Sequence, residues 1–544
     1  MKKLLAILSI TVAFTSCNTW LDVNDNPNSA NSAVPTAEQR LPPILAQFSD
    51  CYESAGTRAA FVSQQLAVTY AINNNYNLTR WYSNLSSANW PWQCWYVNTA
   101  VNIAPMITAA EKVGAYHYIG VGKIIKAWGF SALSDFYGMM PYDEFDDPNT
   151  FTPKFDDGSY IQGKVLELLD EAIQDLQKQQ APGAPSLAEG DTWNHGNVDN
   201  WIRLANGIKA RCLLHLVKKA DFDPEAVLAA ANAGPQTEDQ STIMQYIDDP
   251  STTNNAKSSL QYQNTGTSAR FTKLYIDYLS NNYTGAPTGA NDMEDPRMDI
   301  ILPRMQDGSG NWVRTQGVDM TSDVVLNGPK AVSFNSTTNK FSNADSIYIQ
   351  LRRNPMSPAA GNRIASTGCW YTDRGAKGLL LTNAEMHFIV AEIKLRQNKP
   401  NEALQAYQAG IKAHMTLVGV DGSVSDDFLA STSVVQDPAK LTLSDIMIQK
   451  YIALSFSIEV WCDLRRLNYC TDASGVYNES TGVYKGFKRP KHVYLESYPN
   501  ETDWPRRFAV PSYEINYNLD QVRAANPNAE KPTYINQPVW WDKP

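Results

Sequence analysis

The stretch LTNAEMHFIVAEIKLRQNKPNEALQAYQAGIKAH, residues 381–414, decides the fold. Ala384, Phe388, Ala391 and Leu395 recur at helical spacing and make one apolar face. Gln397-Asn398-Lys399-Pro400 interrupts the pattern, and Asn401 is placed to cap a second helix with Glu402 in its first turn. Leu404, Tyr407 and Ile411 form the next stripe. Small residues at Ala391, Ala403 and Gly410, with Tyr407 between them, follow tetratricopeptide spacing. Two antiparallel helices approach closely only where side chains are small, and the aromatic fills the groove beside them. Such a hairpin cannot bury its own apolar face, so the rest of the chain must supply neighbours.

Those neighbours are legible on both sides. Residues 117–137 and 160–177 make one helical pair, and 198–218 and 224–233 another. Residues 441–467 read as one further helix and stand for a fourth pair. Helical periodicity also runs through Val97, Val101, Ile103 and Ile107, and over 36–70, where Thr36 caps and Pro42-Pro43 sit early. Between Pro235 and Gly378 the chain changes character: Asn, Ser, Thr and Gly dominate. Asp307-Gly308-Ser309-Gly310 between Ile300–Met305 and Trp312–Thr315 predicts a hairpin. Long irregular segments of this kind carry function or are disordered. Residues 468–544 read mostly as loop. The fold class is therefore mostly α: tetratricopeptide-like helical hairpins packed with a large irregular, loop-rich region carrying short β-hairpins.

The first residues direct the chain to a compartment. Lys2-Lys3, the apolar run Leu4 to Phe14 and then Thr15-Ser16-Cys17 have the three regions of a secretory signal, too short to span a bilayer. A Cys directly after a small residue makes Cys17 the expected lipidation site, with residues 1–16 removed. Several acyl chains on one Cys anchor a soluble domain stably. Residues 18–35 read as a tether. Its Asp22, Asn24 and Asn26 alternate like a calcium loop, but Pro27 and Ala33 stand where Gly and Glu are required. The expected organisation is a signal peptide over 1–16 and one domain over 17–544. Its helical repeat elements lie over about 97–233 and 381–467, and its loop-rich ligand region over about 235–380.

Composition excludes several functions. The net charge of −10 lacks the basic face that nucleic-acid binding needs. Six His show no metal-ligand spacing, and the seven Cys contain no Cys-x-x-Cys, so no metal or cofactor is expected. An even number of Cys after Cys17 permits disulfides without fixing their pairing, and most are expected to be buried thiols. Gly120-x-Gly122-Lys123 lacks the flanking residues of either nucleotide motif. The acids at Asp143-Glu144 and Asp146-Asp147 read as a solvated face, and no Gly-x-Ser-x-Gly occurs, so an enzyme is not expected.

The 11% aromatic share points to binding. From Asn73 to Trp95 the apolar period collapses into what reads as a loop of amides and aromatics. Sugars present flat apolar faces ringed by hydroxyls, which aromatic platforms flanked by amides and Arg suit. The candidate ligand-binding residues are Asn73, Asn75, Tyr76, Arg80, Trp81, Tyr82 and Trp90, with Trp312, Trp370 and Tyr371 in the irregular region. Trp92 and Trp95, which enter a helix, read more readily as core.

Several short segments, in order over nearly the full length, resemble the SusD/RagB outer-membrane lipoproteins. They are Leu21-Asp22-Val23-Asn24-Asp25-Asn26-Pro27, Asp295-Pro296-Arg297, Thr382-Asn383-Ala384-Glu385, Trp461-Cys462-Asp463-Leu464-Arg465-Arg466, and Arg507-Phe508-Ala509-Val510-Pro511 with Glu514 and Asn518. The resemblance implies a cell-surface substrate-binding lipoprotein on a SusC-like TonB-dependent transporter of the outer membrane. It implies an oligosaccharide ligand or, in some branches, a peptide. A scaffold without a small ligand is the alternative from outside that class. These segments carry the fold and do not identify the ligand.

Overall fold

The structure is a computed structural model that describes residues 34–68, 74–82, 84–246, 269–306, 312–323, 333–335, 340–342, 351, 370–372 and 376–544. The signal segment, Cys17 and Asn73 lie outside the described residues.

Helix α1 (Ala37–Val62) begins at Thr36, whose backbone N–H donates to Gln39 Oε1 at 3.2 Å. It stops short of the expected residue 70. A turn with Gln64 at φ +57° leads instead into strand β1 (Leu66–Val68). The stretch expected as a loop over 73–95 is largely helical: α2 (Asn74–Thr79), then α3 (Leu85–Gln93). Asn84 caps α3 by accepting the Ser87 N–H at 2.8 Å. The chain continues through a π-helical segment (Cys94–Ala100) into α4 (Val101–Glu111). Period analysis failed here because the less-buried face, Ser86, Asn89, Trp90, Gln93 and Val97, mixes polar with bulky apolar residues and so does not contrast with the buried Trp92, Cys94 and Trp95.

The helical pairs follow in the expected order. Helices α5 (Tyr116–Tyr137) and α6 (Gly158–Leu176) form the first, and α7 (Val198–His215) and α8 (Pro224–Ala233) the second. In the irregular region lie α9 (Lys273–Leu279) and α10 (Met298–Ile301). The third pair is α11 (Asn383–Arg396) and α12 (Pro400–Val418), followed by α13 (Gly422–Ala430). Asn401 does not cap α12: Pro400 is its first residue and Lys399 the cap. Residues 441–467 are two helices, α14 (Leu443–Ala453) and α15 (Ile458–Arg466). They are separated by a turn in which Phe456 has φ +68°. Two short helices, α16 (Ser512–Tyr517) and α17 (Leu519–Ala525), interrupt the C-terminal coil.

Among the described residues the strands pair in antiparallel twos. β1 runs against β3 (Ala269–Phe271), and β2 (Thr242–Met244) against β8 (Gly378–Leu381). The expected hairpin forms as β4 (Arg304–Gln306) and β5 (Trp312–Arg314), and β6 (Ser333–Asn335) pairs with β7 (Lys340–Ser342).

Close helix approach is visible at two glycines. A Cβ on Gly410 would lie 2.8 Å from Phe388 Cζ across the α11–α12 pair, and one on Gly129 would lie 2.0 Å from the Trp95 ring. Helix α11 is buried on more than its predicted stripe. Ala384, Phe388 and Ala391 are covered, but so are Met386, Ile389, Ile393 and two carboxylates. Glu385 accepts Arg211 Nε at 2.7 Å and Nη2 at 2.5 Å, tying α11 to α7. Glu392 accepts both Arg466 terminal nitrogens at 2.6 Å, tying α11 to α15. Burial would raise the Glu392 carboxyl, but Arg466 and Arg396 override it and hold it at about 2.

Replacing Glu392 with Gln leaves Arg466 buried against Asp463 alone, and breaking a buried pair costs about 3–5 kcal/mol. Urea unfolding should show that loss, and a Glu392→Leu/Arg466→Met double variant should recover much of it. Because the folded carboxyl titrates lower than the unfolded one near 4.5, its contribution is present above pH 4.5. It disappears as pH falls towards 2, so the gap between wild type and Glu392→Gln should close over that window.

Candidate functional site

Turns after α1 and α9 build a cleft of about 480 Å³. Gln64, held at positive φ, enters it from the end of α1, and its Nε2 donates to Lys488 O at 2.6 Å. Helix α9 ends where Asn281 takes φ +51°, a conformation Asn tolerates, so the Asn281-Asn282 amides line the opposite wall. Asn281 Nδ2 donates to Ser433 O at 2.8 Å and Asn282 Nδ2 to Asp277 Oδ1 at 3.1 Å. Asp319 Oδ1 accepts from the Thr321 N–H at 2.8 Å and its hydroxyl at 2.7 Å. Lys485 Nζ donates to Glu479 O at 2.6 Å. Lys273, Lys485 and Lys488 face Asp277, Asp319 and Glu479, so the lining is electrically balanced.

The segment after Lys488 leads from the cleft to an aromatic shelf. Lys491 N–H donates to Met320 O at 2.9 Å and Tyr494 N–H to Arg80 O at 3.0 Å. Tyr494 stacks on Tyr82 with ring centroids 4.0 Å apart. The pair borders a pocket of about 360 Å³ that also holds Asn84, Glu496 and Lys531.

The sequence-predicted residues divide among several places. Arg80 is a positioning group: its Nε donates to His492 O at 2.8 Å. Tyr82 lies on the shelf. Trp81, the neighbour between them, is only 1% exposed. Its indole N–H donates to Val62 O at 3.0 Å, and its ring packs among Phe487, Tyr498 and Trp504. It therefore offers no platform. It also sits at φ +62°, where a bulky L-residue is strained, and dense packing holds it there. Trp90 is half-buried with its indole N–H on Asp50 Oδ2 at 3.2 Å. Trp312 is 46% exposed on β5 under the Arg304 guanidinium, 5.7 Å from the ring centre. Trp370 is half-buried and Tyr371 buried, its hydroxyl 3.2 Å from His414 Nε2. The side chains of Asn75 and Tyr76 lie outside the described residues. The structure thus brings together Arg80 and Tyr82, while Trp312 lines neither the cleft nor the shelf pocket. Sequence reading missed Gln64, Asn281, Asn282 and Tyr494. The run Asn281-Asn282-Tyr283-Thr284-Gly285 after an apolar stretch was a turn signal that could have exposed the cleft wall.

Among the described residues, Asp135, His215, Glu459 and Cys462 gather donor atoms within 4.8 Å of one another. The imidazole already bridges two carboxylates, Nδ1 at 3.3 Å from Asp135 and Nε2 at 3.0 Å from Glu459. Cys462 Sγ faces Arg465 Nη2 at 3.2 Å. With its nitrogens committed in opposite directions, His215 acts as a buried cation between acids. Burial would depress it, but Asp135, with Cys462 and Glu459, raises its pKa well above 6.5. No helix among the described residues is long and apolar enough to cross a membrane.

Comparison with known proteins matches residues 30–483 to the family described as "Starch-binding associating with outer membrane". No curated protein sequence matches the chain significantly. Among solved structures, a chitin-binding SusD homologue from Flavobacterium johnsoniae superimposes with TM-score 0.68 at 19% identity, covering 92% of this chain and 98% of its own. A SusD/RagB family protein from Bacteroides thetaiotaomicron gives 0.65 at 19% identity, covering 93% and 99%. A SusD-like protein from Bacteroidetes gives 0.68 at 17%, covering 94% and 100%. At such identities the likeness shows a shared fold.

Two measurements follow from these positions. Trp81→Ala should lose about 3–5 kcal/mol of stability, the cost of emptying a buried aromatic site, whereas Tyr82→Ala should melt close to wild type. The His215 contribution has the opposite pH sign to that of Glu392. A raised folded pKa makes it fully present below the unfolded value of 6.5 and lost as pH climbs through the folded value. The stability gap between wild type and His215→Asn should therefore be largest below pH 6.5 and shrink in alkali.

Proposed function

The chain belongs to the SusD-like family, described as starch-binding and associating with the outer membrane, and on that premise we propose that it captures an uncharged oligosaccharide at the cell surface. It then delivers this glycan to a SusC-like TonB-dependent transporter. In this reading Cys17 carries the lipid anchor, and residues 17–544 work as one domain.

The observation that carries the ligand class is the charge-balanced cleft, whose walls present amides, hydroxyls and Tyr283. A strongly ionic ligand would meet as much repulsion as attraction there, whereas a sugar exchanges its water hydrogen bonds for those of amides and hydroxyls. Chitin, named as the ligand of the Flavobacterium johnsoniae homologue, is an uncharged polysaccharide of this class. Tyr82 and Tyr494 on the shelf supply apolar ring contacts beside the cleft, and Trp312, exposed on its hairpin, offers a further ring face.

The protein acts as a binder rather than a hydrolase in this proposal. Asp277 is engaged by Lys273 and Asn282, and Asp319 by Thr321, so these cleft carboxylates are not poised as a free acid–base pair.

Calorimetry of residues 18–544 against neutral oligosaccharides and against mixed peptides tests the proposal. Sugar binding with quenched Trp fluorescence is expected. Trp312→Ala and Tyr494→Ala should each weaken it roughly 2- to 10-fold, the worth of one aromatic contact, without lowering the melting temperature. Peptide binding alone would overturn the glycan assignment, and silence towards both would leave a scaffold protein.

A further inference from the structure

Five cysteines are described, all buried and all free thiols. Three sulfurs face different partners: Cys212 faces Ser131 Oγ at 3.2 Å, Cys462 faces Arg465, and Cys470 faces Asn478 O at 3.7 Å. The other two are arranged reciprocally. Cys51 of α1 donates to Pro91 O at 3.4 Å, one turn before Cys94, and Cys94 donates to Gln47 O at 3.3 Å, one turn before Cys51. Each thiol thus reaches back along the other's helix. Both sulfurs therefore occupy the space between α1 and the α3–π-helical junction, each against the helix that carries the other.

We propose that Cys51 and Cys94 are joined by a disulfide in the exported protein. This rests on the export reading, because such bonds persist in oxidising compartments. The oxidant is an external disulfide, protein-borne or of low molecular weight. One Cys thiolate attacks it and releases the first external thiol. The other then attacks the mixed disulfide, forms the Cys51–Cys94 bond and releases the second. The two electrons reduce the external disulfide, and the two protons end on its sulfurs. Cys51 and Cys94 are 2% and 0% exposed, so the exchange precedes closure of α1 over α3. Burial pushes the Cys51 thiol well above its ordinary range, a second reason for exchange before closure; of the neighbouring charges, buried Arg58, whose Nε donates to Ser87 O at 2.6 Å, pulls it down. Asp50 opposes it beside Cys94, 3.8 Å from that sulfur. The bond would close the chain around residues 52–93, the segment that carries Arg80 and the Tyr82 shelf.

The test is a peptide map without reductant. Protein from the exported fraction is denatured, blocked with iodoacetamide and digested with trypsin. Peptides 41–58 and 81–112 are expected as one cross-linked species that separates only on reduction, with the other cysteines alkylated beforehand. A chain lacking the signal, refolded with oxidised and reduced glutathione, should give the same species. Alkylated, separate peptides from both preparations would overturn the disulfide. The same result from the cell alone, with the cross-link present after refolding and the protein absent from the exported fraction, would overturn export and leave the pair intact.

Discussion

Two carboxylates on one face of α11, seven residues apart and therefore two turns along the same side, hold the helical frame in register. Glu385 takes the Arg211 fork from α7, and Glu392 takes the Arg466 fork from α15. A buried ion pair gains little net stability over well-packed apolar residues, because desolvation cancels most of the attraction. Its effect is directional: a planar guanidinium meets a carboxylate edge-on, and a helix shifted by one turn would leave charges unpaired in the core. The same device recurs away from α11. Arg297 pairs with Asp295 and faces His414 of α12 and Gln449 of α14, while Lys450 meets Asp463 at 2.9 Å. Arginine forks thus fix which helix faces which.

That frame determines where the cleft can open. Because α1, α14 and α15 are locked together, the turn after α1 is pinned from both sides. Gln65 Nε2 donates to Tyr451 O at 3.1 Å, and its Oε1 accepts the Phe456 N–H at 2.8 Å. Gln64, its neighbour in sequence, is 2% exposed and forms part of the cleft wall. Trp81 plays the corresponding part on the other side. Its strained backbone is held by rings from the C-terminal coil, and the strain turns the chain so that Arg80 and Tyr82 emerge beside it. The residue that looked most like a ligand platform is the post on which the shelf stands.

The sequence made the helical pairs legible because each carries a stripe and each is separated by turn residues. Three of the segments that carry the family resemblance, Asp295-Pro296-Arg297, Thr382 to Glu385 and Trp461 to Arg466, hold members of the arginine forks, but nothing in them announces the pairing. The aromatic stretch was misread for the opposite reason. The less-buried face of α3 carries Trp90 beside Ser86, Asn89 and Gln93, so apolar and polar residues do not separate and the stretch resembles a loop. The split between α14 and α15 was equally hidden, since Ser455-Phe456-Ser457 contains neither Gly nor Pro and turns through a positive-φ Phe. The cleft itself joins residues 64, 281, 319 and 488. Nothing local to any of them announces that meeting; only the long-range packing of α1, α9 and the C-terminal coil does.

The way the cleft satisfies its own polar groups bears on a capture-and-delivery role. Gln64 Nε2 is already bonded to Lys488 O, Asn282 Nδ2 to Asp277, and Lys485 Nζ to Glu479 O. An empty cleft built this way holds its shape, so a ligand pays little ordering entropy on entry. Equally, its departure strands no buried donor, which limits how much affinity the polar wall can supply. The remaining attraction must come from ring contacts such as those of the Tyr82–Tyr494 pair, each worth a fraction of the total. Binding assembled from a preformed but self-satisfied wall and a few aromatic faces is modest at every point of contact. For the proposed role, in which the ligand is passed on, that property matters more than tight retention.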